Sequence, residues 1–545
     1  MFGSATREDN NLYDFSLFGP ILYKIDTRYA KFSNLAGSYM KQDWIGYKWL
    51  AREFGCEPVQ PFPVTSQIGK RHATSTTDGN TTNSYLESAR PKPTLSDHLA
   101  FALKREGVHL EFLARLFQVV PQTQIEEWIN REPTGQYARR TGFLYEWLTG
   151  RHLDFPGVPV GNYVDAIVET DYVTRTEPIN VPRWRVRNNL PGSREYCPTV
   201  RRTEPLRKLE DFALAPKLHE LESEFGTDIL LRSAVWLTVR ESRASFQIER
   251  EESETDRIKR FASVLERRLG EGTDPLDSDF LSAIQGEILG TKALRLGPRR
   301  SPVFIGEFRF GTEVVHYVAP HYEQVPHMLA GLREFAECTV GRNALIRAAV
   351  LSFGFVFIHP MTDGNGRISR FLVNDRLRRD GAAPAPYILP ISATITRTVA
   401  NRAGYDRTLE RYSKPLMERF STACTFGALM VCEDGVRTNF QFSGYPEAQP
   451  FWAYPDLTSQ CEYLGEVIQE TLESEMRQEA RWLRDLGLAR ARVKEFLEAP
   501  DPEVDRIIRS VQENRAISGK LLREYPQFED SDLAASIIAA VLGND

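Results

Sequence analysis

The chain has 545 residues, more than one hydrophobic core usually organises, so roughly two to four domains are expected. Hydrophobic residues make up 41% and charged residues 26%, ordinary globular usage that excludes a wholly disordered chain, a collagen-like fibre and a disulfide-framed mini-protein. Lys plus Arg number 68 against 74 Asp plus Glu, and the resulting charge of -6 excludes a globally basic nucleic-acid binder. Six cysteines (Cys56, Cys197, Cys338, Cys424, Cys432, Cys461) lie scattered without a C-x-x-C pair, as in proteins kept reduced, and a cytoplasmic location is expected. The amino terminus MFGSATREDN has no basic n-region followed by an apolar stretch, and the strongest apolar runs, such as FGFVFI at 353–358, fall far below spanning length. Neither secretion by that route nor insertion in a membrane is expected.

Residues 12–60 mix aromatic and charged side chains, after which 65–94 is so rich in Ser, Thr, Asn and Gly that it reads as a loop or linker. From Leu95 to Gly150 the pattern turns helical in four short pieces: LSDHLAFALKREG, HLEFLARLFQV, TQIEEWINREP and a segment ending FLYEWLTG. Short helices on brief turns fit a helix-turn-helix-like module, and fit equally a small bundle that contacts protein, since no row of Arg or Lys marks TQIEEWINREP as a reading helix. Residues 171–208, rich in Pro and Arg (Arg175, Arg183, Arg185, Arg187, Arg194, Arg201, Arg202, Arg207), read as a solvated connector in preference to a nucleic-acid patch. From Leu209 to Ser421 the pattern is mainly helical. It has one interruption at 301–318, where β-branched and aromatic residues broken by Gly predict a hairpin. From about 456 onward the chain is again helical.

The informative segment is His359-Pro360-Met361-Thr362-Asp363-Gly364-Asn365-Gly366-Arg367-Ile368-Ser369-Arg370, set between the apolar run 344–358 and the amphipathic stretch 368–381. Pro360 and the Gly364-Asn365-Gly366 trio oppose continuous helix, so the apolar segment should end near His359 and a tight loop should follow. A helix restarting at Gly366 or Arg367 points several backbone N–H groups into that loop, which makes an anion nest of the kind that holds phosphates. Arg367 and Arg370, three apart, share one helix face and supply two guanidinium forks suited to a polyphosphate. His359, with an ordinary pKa of roughly 6.5, serves as a general base near neutrality. Asp363 offers Mg²⁺ the hard oxygen ligand it takes beside phosphates. Base, metal ligand, phosphate cradle and charge clamps within one short segment point to transfer of a phosphate-containing group to a hydroxyl. A two-ligand zinc site from His359 and Asp363 lacks its third and fourth ligands.

The pattern H-P-x-x-D-G-N-G-R-x-x-R resembles the signature of the Fic family. The resemblance spans roughly 228–420, including FLSAIQGEILG and the Gly306-Glu307-Phe308-Arg309 flap segment. It implies a mostly helical core with a β-hairpin flap, and an enzyme that uses Mg-ATP to place AMP on a Ser, Thr or Tyr hydroxyl of a target protein, the enzyme itself included. In that reading His359 deprotonates the hydroxyl, Asp363 binds Mg²⁺, Gly364, Asn365 and Gly366 hold phosphates, and Arg367 and Arg370 contact the outer phosphates. Met361 departs from the family's usual Phe, and as a flexible apolar substitute it implies altered loop rigidity with the chemistry kept. The flap implies that an extended target segment adds to it as a strand.

Upstream, Ser245-Phe246-Gln247-Ile248-Glu249 resembles the family's inhibitory motif, although Arg250 stands where Gly or Asn is usual. Ser245 and Glu249 share a helix face, and the resemblance pairs Glu249 with Arg370, the clamp that the γ-phosphate needs. A pair favoured by about 2.7 kcal/mol leaves the competent state near one per cent. The expected architecture is mainly α and multidomain. Residues 1–205 hold the helical module at 95–150 and the basic Pro-rich connector, 206–430 the Fic domain with its inhibitory segment near 240–250, and 431–545 a helical C-terminal region. The alternatives are a relative that uses another nucleotide or donor, one that removes AMP, and a regulator that docks DNA through 95–150 and senses nucleotide with its Fic core. No membrane partner is expected, and the oligomeric state stays open.

Overall fold

The structure, a computed structural model, describes residues 43–543 apart from 78, 159, 249–254, 273, 291–294 and 310–311. Its first unit opens with β1 (Trp44–Ile45), α1 (Tyr47–Phe54), β2 (Val64–Ile68), β3 (Ala73–Thr77) and β4 (Asn80–Tyr85), which form one sheet in the order β1-β2-β4-β3. The stretch expected to be a loop at 65–94 is therefore largely sheet. Its small polar residues form ladders, with Thr65 bonded to Thr82, Thr74 to Asn83 and Thr76 to Thr81 across the strands, so β-branched Thr stabilises strands that bury little. Helices α2 (Leu95–Arg105), α3 (Leu110–Val119), α4 (Gln122–Arg131) and α5 (Gln136–Thr149) follow at the expected places. Their apolar stripes meet in a core of their own that includes Phe112, Leu116, Trp128 and Phe143. On α4 the stripe Ile125, Trp128 and Ile129 points inward, leaving Gln124, Glu127 and Arg131 outside.

The basic connector is not solvated. It contributes β5 (Val164–Asp165), β6 (Ile179–Val181) and β7 (Val186–Asn188), and its guanidinium groups reach backbone carbonyls and carboxylates of the neighbouring units. Arg175 donates to Leu190 O at 3.0 Å, Arg183 to Leu153 O at 2.7 Å, and Arg201 to the Asp456 carboxylate at 3.1 Å. Trp184 and Tyr196 are buried among them. Irregular backbone presents many carbonyls without ladder partners, and a planar fork with five donors satisfies several at once.

The central unit is helical: α6 (Glu204–Glu210), α7 (Leu214–Phe225), α8 (Thr227–Ile248), α9 (Thr255–Arg268) and α10 (Ser278–Leu289) precede the expected hairpin, β8 (Phe304–Arg309) and β9 (Thr312–Val318). The strands pair antiparallel, and Gly306 is required there because a Cβ would lie 2.4 Å from the Val314 carbonyl oxygen. Then come α11 (Val325–Cys338), α12 (Ala344–Ile358), α13 (Asn365–Arg379), α14 (Ile391–Thr396) and α15 (Val399–Phe420). A second hairpin, β10 (Cys424–Val431) and β11 (Arg437–Phe442), follows where none was expected and opens the region read as helical from 431. Phe426 and Phe440 on this hairpin pack on Phe304 of β8.

The central core continues past 430 through α16 (Tyr445–Ala453), α17 (Thr458–Glu470) and the start of α18 (Arg477–Val493), as Trp452, Leu464 and Ala480 belong to the same buried cluster. The end of α18 with α19 (Asp501–Asn514), α20 (Gly519–Glu524) and α21 (Ser531–Leu542) forms a small third core around Val504, Ile508 and Ile537. The molecule is thus mainly α and multidomain. Among the described residues no helix is long and apolar enough to cross a membrane.

Candidate active site

α12 is apolar apart from Arg347 and Ser352 and is buried in the central core, its start capped by Asn343, whose side chain accepts the Leu345 and Ile346 N–H groups. It stops at His359, which takes the left-handed conformation (φ 51°, ψ 58°) while its N–H still bonds Phe355 O at 2.9 Å. Pro360 follows and cannot continue the helix. A non-glycine residue held at positive φ costs about 1–2 kcal/mol, so the surroundings must enforce it.

The turn is closed by its own side chains. Asn365 accepts the Met361 N–H at 2.9 Å and donates to the Met361 carbonyl at 2.8 Å, so its amide works as a brace inside the loop, and Met361 above it is fully buried. Gly364, at φ 85°, starts α13 with no capping side chain, and its N–H bonds Asp363 Oδ1 at 2.6 Å. The backbone amides of Asn365, Gly366 and Arg367 therefore form the uncapped positive end of a helix. Asp363 is half exposed, and Arg367 Nη2 reaches its Oδ1 at 3.3 Å. Gln285 of α10 steadies the loop from outside, donating to the Asp363 carbonyl at 2.8 Å while accepting the Gly297 N–H at 2.8 Å.

His359 is buried. Its Nδ1 lies 3.3 Å from the Val356 carbonyl, which fixes the proton on Nδ1 and leaves the lone pair on Nε2. Among the described residues Nε2 is buried without a hydrogen-bond partner. Burial, aided by the Arg299 charge, pushes the imidazole down to about 3, so at neutral pH it is a neutral proton acceptor.

Both arginines of the turn are buried against α8. The Arg367 guanidinium lies 5.0 Å from the Phe246 ring centroid, a cation–π contact. Arg370 donates through Nε to Ser245 Oγ at 2.6 Å and through Nη2 to the Ser245 carbonyl at 3.3 Å. The structure thus brings His359, Asp363, Gly364, Asn365, Gly366, Arg367, Arg370 and Ser245 into one site, and Glu249 lies outside the described residues. The buried stripe of α8 explains the meeting: Leu230, Ala234 and Leu237 continue at helical spacing into Glu241 and Ser245, so the stripe turns polar where it faces the turn.

Two buried residues were missed by the sequence reading. Glu241, one turn before Ser245, accepts the Ser392 N–H and hydroxyl, each at 2.6 Å, which ties α8 to α14. Burial pushes its carboxyl up to about 7, against the bonds from Ser392 and the Arg370 charge. The spacing of Glu241, Ser245 and Glu249 at successive turns was the available signal. Arg299 donates to four backbone carbonyls around the turn, and nothing in its local sequence distinguishes it from Arg300 beside it. Beside the turn, a cavity of about 420 Å³ opens between the hairpin and α15. Its walls include Ile305, Tyr317, Phe357 and Leu409, with the Asp406 and Glu410 side chains also lining it. Among the described residues no three His, Cys, Asp or Glu side chains form a metal cluster, and His316 instead contacts Glu307 while His321 stacks on Tyr322.

Residues 275–377 match the Fic/DOC family, and that span contains the whole turn from His359 to Arg370. Over those residues the chain is similar to a Fic domain. It is 37% identical over 95 residues to the protein adenylyltransferase fic-1 of Caenorhabditis briggsae and 35% identical over 95 residues to that of Caenorhabditis elegans. Those residues are 17% of this chain and cover only 17% and 16% of the two relatives' lengths. Among solved structures, a Fic family protein from Desulfovibrio desulfuricans aligns with 60% of this chain and 87% of its own at 18% identity and a TM-score of 0.32. A Fic domain containing signaling protein from Bacteroides thetaiotaomicron aligns with 51% of this chain and 98% of its own at 17% identity and a TM-score of 0.31.

Proposed function

We propose that the protein is an adenylyltransferase that moves AMP from Mg-bound ATP to a hydroxyl side chain of a target protein and is held in check by α8. The observation that carries this reading is the juxtaposition of a buried, neutral imidazole with an unpartnered Nε2 and an uncapped helix start flanked by two buried guanidinium groups. The hydroxyl proton passes to Nε2 of His359 as the hydroxyl oxygen attacks the α-phosphorus. The bond from that phosphorus to the oxygen bridging to the β-phosphate breaks, and pyrophosphate leaves with the electron pair. Amides of the α13 start and the Arg367 and Arg370 forks hold the phosphate chain, and its negative charge raises the basicity of His359 from the low value it has alone.

Asp363 fits a magnesium ion, which takes one or two carboxylates and completes its shell with phosphate oxygens and water. When bound there the ion neutralises phosphate charge. The cavity between the hairpin and α15 suits the nucleoside: it shares Phe357 with the helix that ends at His359, offers apolar walls to a flat base, and carries carboxylates able to accept the base's amino hydrogens. Arg370 bonded to Ser245 is turned toward α8, and Glu249, as the family resemblance implies, adds a carboxylate to the same guanidinium. All six cysteines are free thiols, which suits a reducing compartment, and we place the protein in the cytoplasm.

The deciding experiment incubates the chain with ATP labelled on the α- or on the γ-phosphate. Incorporation from the α-label alone, abolished by His359→Ala and raised about 10- to 100-fold by Glu249→Gly, is expected. Incorporation from the γ-label alone overturns AMP transfer in favour of phosphate transfer.

A further inference from the structure

The Arg299 guanidinium is fully buried at the base of the hairpin, yet among the described residues it donates its hydrogen bonds to backbone carbonyls. Nε donates to His359 O at 2.7 Å, Nη1 to Ser301 O at 2.9 Å, and Nη2 to Pro320 O at 2.6 Å and Ile358 O at 3.4 Å. Its backbone N–H donates to Pro360 O at 2.8 Å, and the neighbouring Pro298 bridges to Met361. Ser301 precedes β8 and Pro320 follows β9, while Ile358, His359 and Pro360 are the residues at which α12 breaks off. One side chain therefore spans both feet of the flap and the left-handed corner that carries the base.

We propose that Arg299 is a positioning residue of the transfer reaction: its fork joins the two feet of the flap to the carbonyls around His359 and thereby holds the imidazole in its strained left-handed seat. The inference rests on the reading of His359 as the base. It follows from the geometry of the fork. The left-handed corner turns consecutive carbonyls away from the helix ladder, and a guanidinium in the protein interior both satisfies them and fixes their directions. Lysine cannot substitute, because one ammonium on a flexible stem cannot reach Ser301, Pro320 and His359 together. The same charge faces the imidazole and disfavours its protonation. On its other side Arg299 is set against the Tyr317 and Tyr445 phenols and Asp434 and stays protonated at neutral pH, burial having lowered it only to about 10. Asp363 and Arg367 stand further along the turn.

The test compares the full-length chain with Arg299→Gln and Arg299→Lys, reading two quantities. One is the limiting rate of self-labelling from α-labelled ATP together with the ATP concentration that half-saturates it. The other is the titration midpoint of the His359 imidazole in the free chain, followed by NMR of ring-labelled histidine and assigned by loss of the signal in His359→Gln. Arg299→Gln should lower the limiting rate about 30-fold or more with half-saturation changed less than about threefold, since a misplaced base costs rate and spares nucleotide binding. It should also move the midpoint upward, with burial, the larger cause, still holding it below the ordinary value. Arg299→Lys keeps the charge and loses the fork, so its midpoint should stay low while its rate falls alike. A Gln variant that is folded by its thermal transition and keeps the parent's rate, or a Lys variant with the parent's rate, overturns the proposal. If the Gln variant does not fold, the Lys variant decides by its rate. Because the midpoint is read without nucleotide, a parent chain that transfers no AMP refutes the transfer reading and with it the positioning role, while a midpoint shift in Arg299→Gln then reports only the Arg299 charge beside the imidazole.

Discussion

The two sides of the His359 turn are built from different materials. Beneath it, Arg299 and Asn365 bind backbone carbonyls and amides, groups that belong to the chain path itself and do not titrate. Above it, α8 presents side chains to Arg370: the Ser245 hydroxyl directly and, one turn away, the Glu241 carboxylate, which is anchored on Ser392. The underside is part of the chain path, whereas the cover, although α8 is anchored in the core by Leu230, Leu237 and Phe246, meets Arg370 through Ser245 contacts that an anionic ligand can replace. Under the proposed function such a cover has to give way more readily than the frame beneath it, and the choice of partners for Arg370 fits that.

Four measurements press on this contrast. Removing the proposed base has the largest effect: His359→Ala should cost about 10²–10⁴ in labelling rate while the fold survives, as seen by an unaltered circular dichroism spectrum. A loss under tenfold would mean that another group takes the proton. Loosening the cover acts in the opposite direction. Ser245→Ala deletes a bond to a charged group, and self-labelling should rise about tenfold in the same assay; a fall would show that Ser245 serves the active form. Gly306→Ala forces a Cβ against the Val314 carbonyl and distorts the flap, so target labelling should fall several-fold, about three to ten, while half-saturation by ATP is kept.

The smallest effect is on stability against pH, and the two sides carry opposite signs. The fold holds His359 near 3 against an ordinary 6.5, so the unfolded chain binds a proton that the native chain refuses. The stabilisation from this group is complete above about 6.5 and is lost as pH falls toward 3. Glu241 is raised from 4.5 to about 7, so its contribution is complete below 4.5 and is lost as pH rises through 7. Thermal midpoints between pH 4 and 8 should therefore decline less on the acid side in His359→Gln than in the parent. In Glu241→Gln they should decline less toward neutrality. Unchanged slopes in both variants would show that neither group titrates as its burial demands.

The turn was legible because its chemistry is consecutive in the chain: His359, Asp363, the glycines and both arginines fall within one loop and helix start, and Pro and Gly punctuate it. The hairpin was legible from β-branched and aromatic residues broken by Gly306. The sheet across 64–85 was missed because Thr and Ser ladders look like linker composition until the strands lie side by side. The arginines of 171–208 were misread for a related reason, since a guanidinium bonded to a distant carbonyl, as Arg201 is to Asp456, has the same local sequence as a solvated one. The second hairpin at 424–442 has strands whose outer residues are largely exposed, so alternation was weak.

By itself the sequence placed His359, Asp363, the glycines and both arginines in one short segment and set Ser245 and Glu249 one helix turn apart, because both follow from spacing along a single element. Only the tertiary structure decided that Arg299 holds the corner at His359, that Glu241 is fastened to Ser392, and that the core runs on past residue 430. Each of these joins residues far apart in the chain through buried polar contacts, and a buried donor finds its acceptor by proximity in space, which local pattern does not encode.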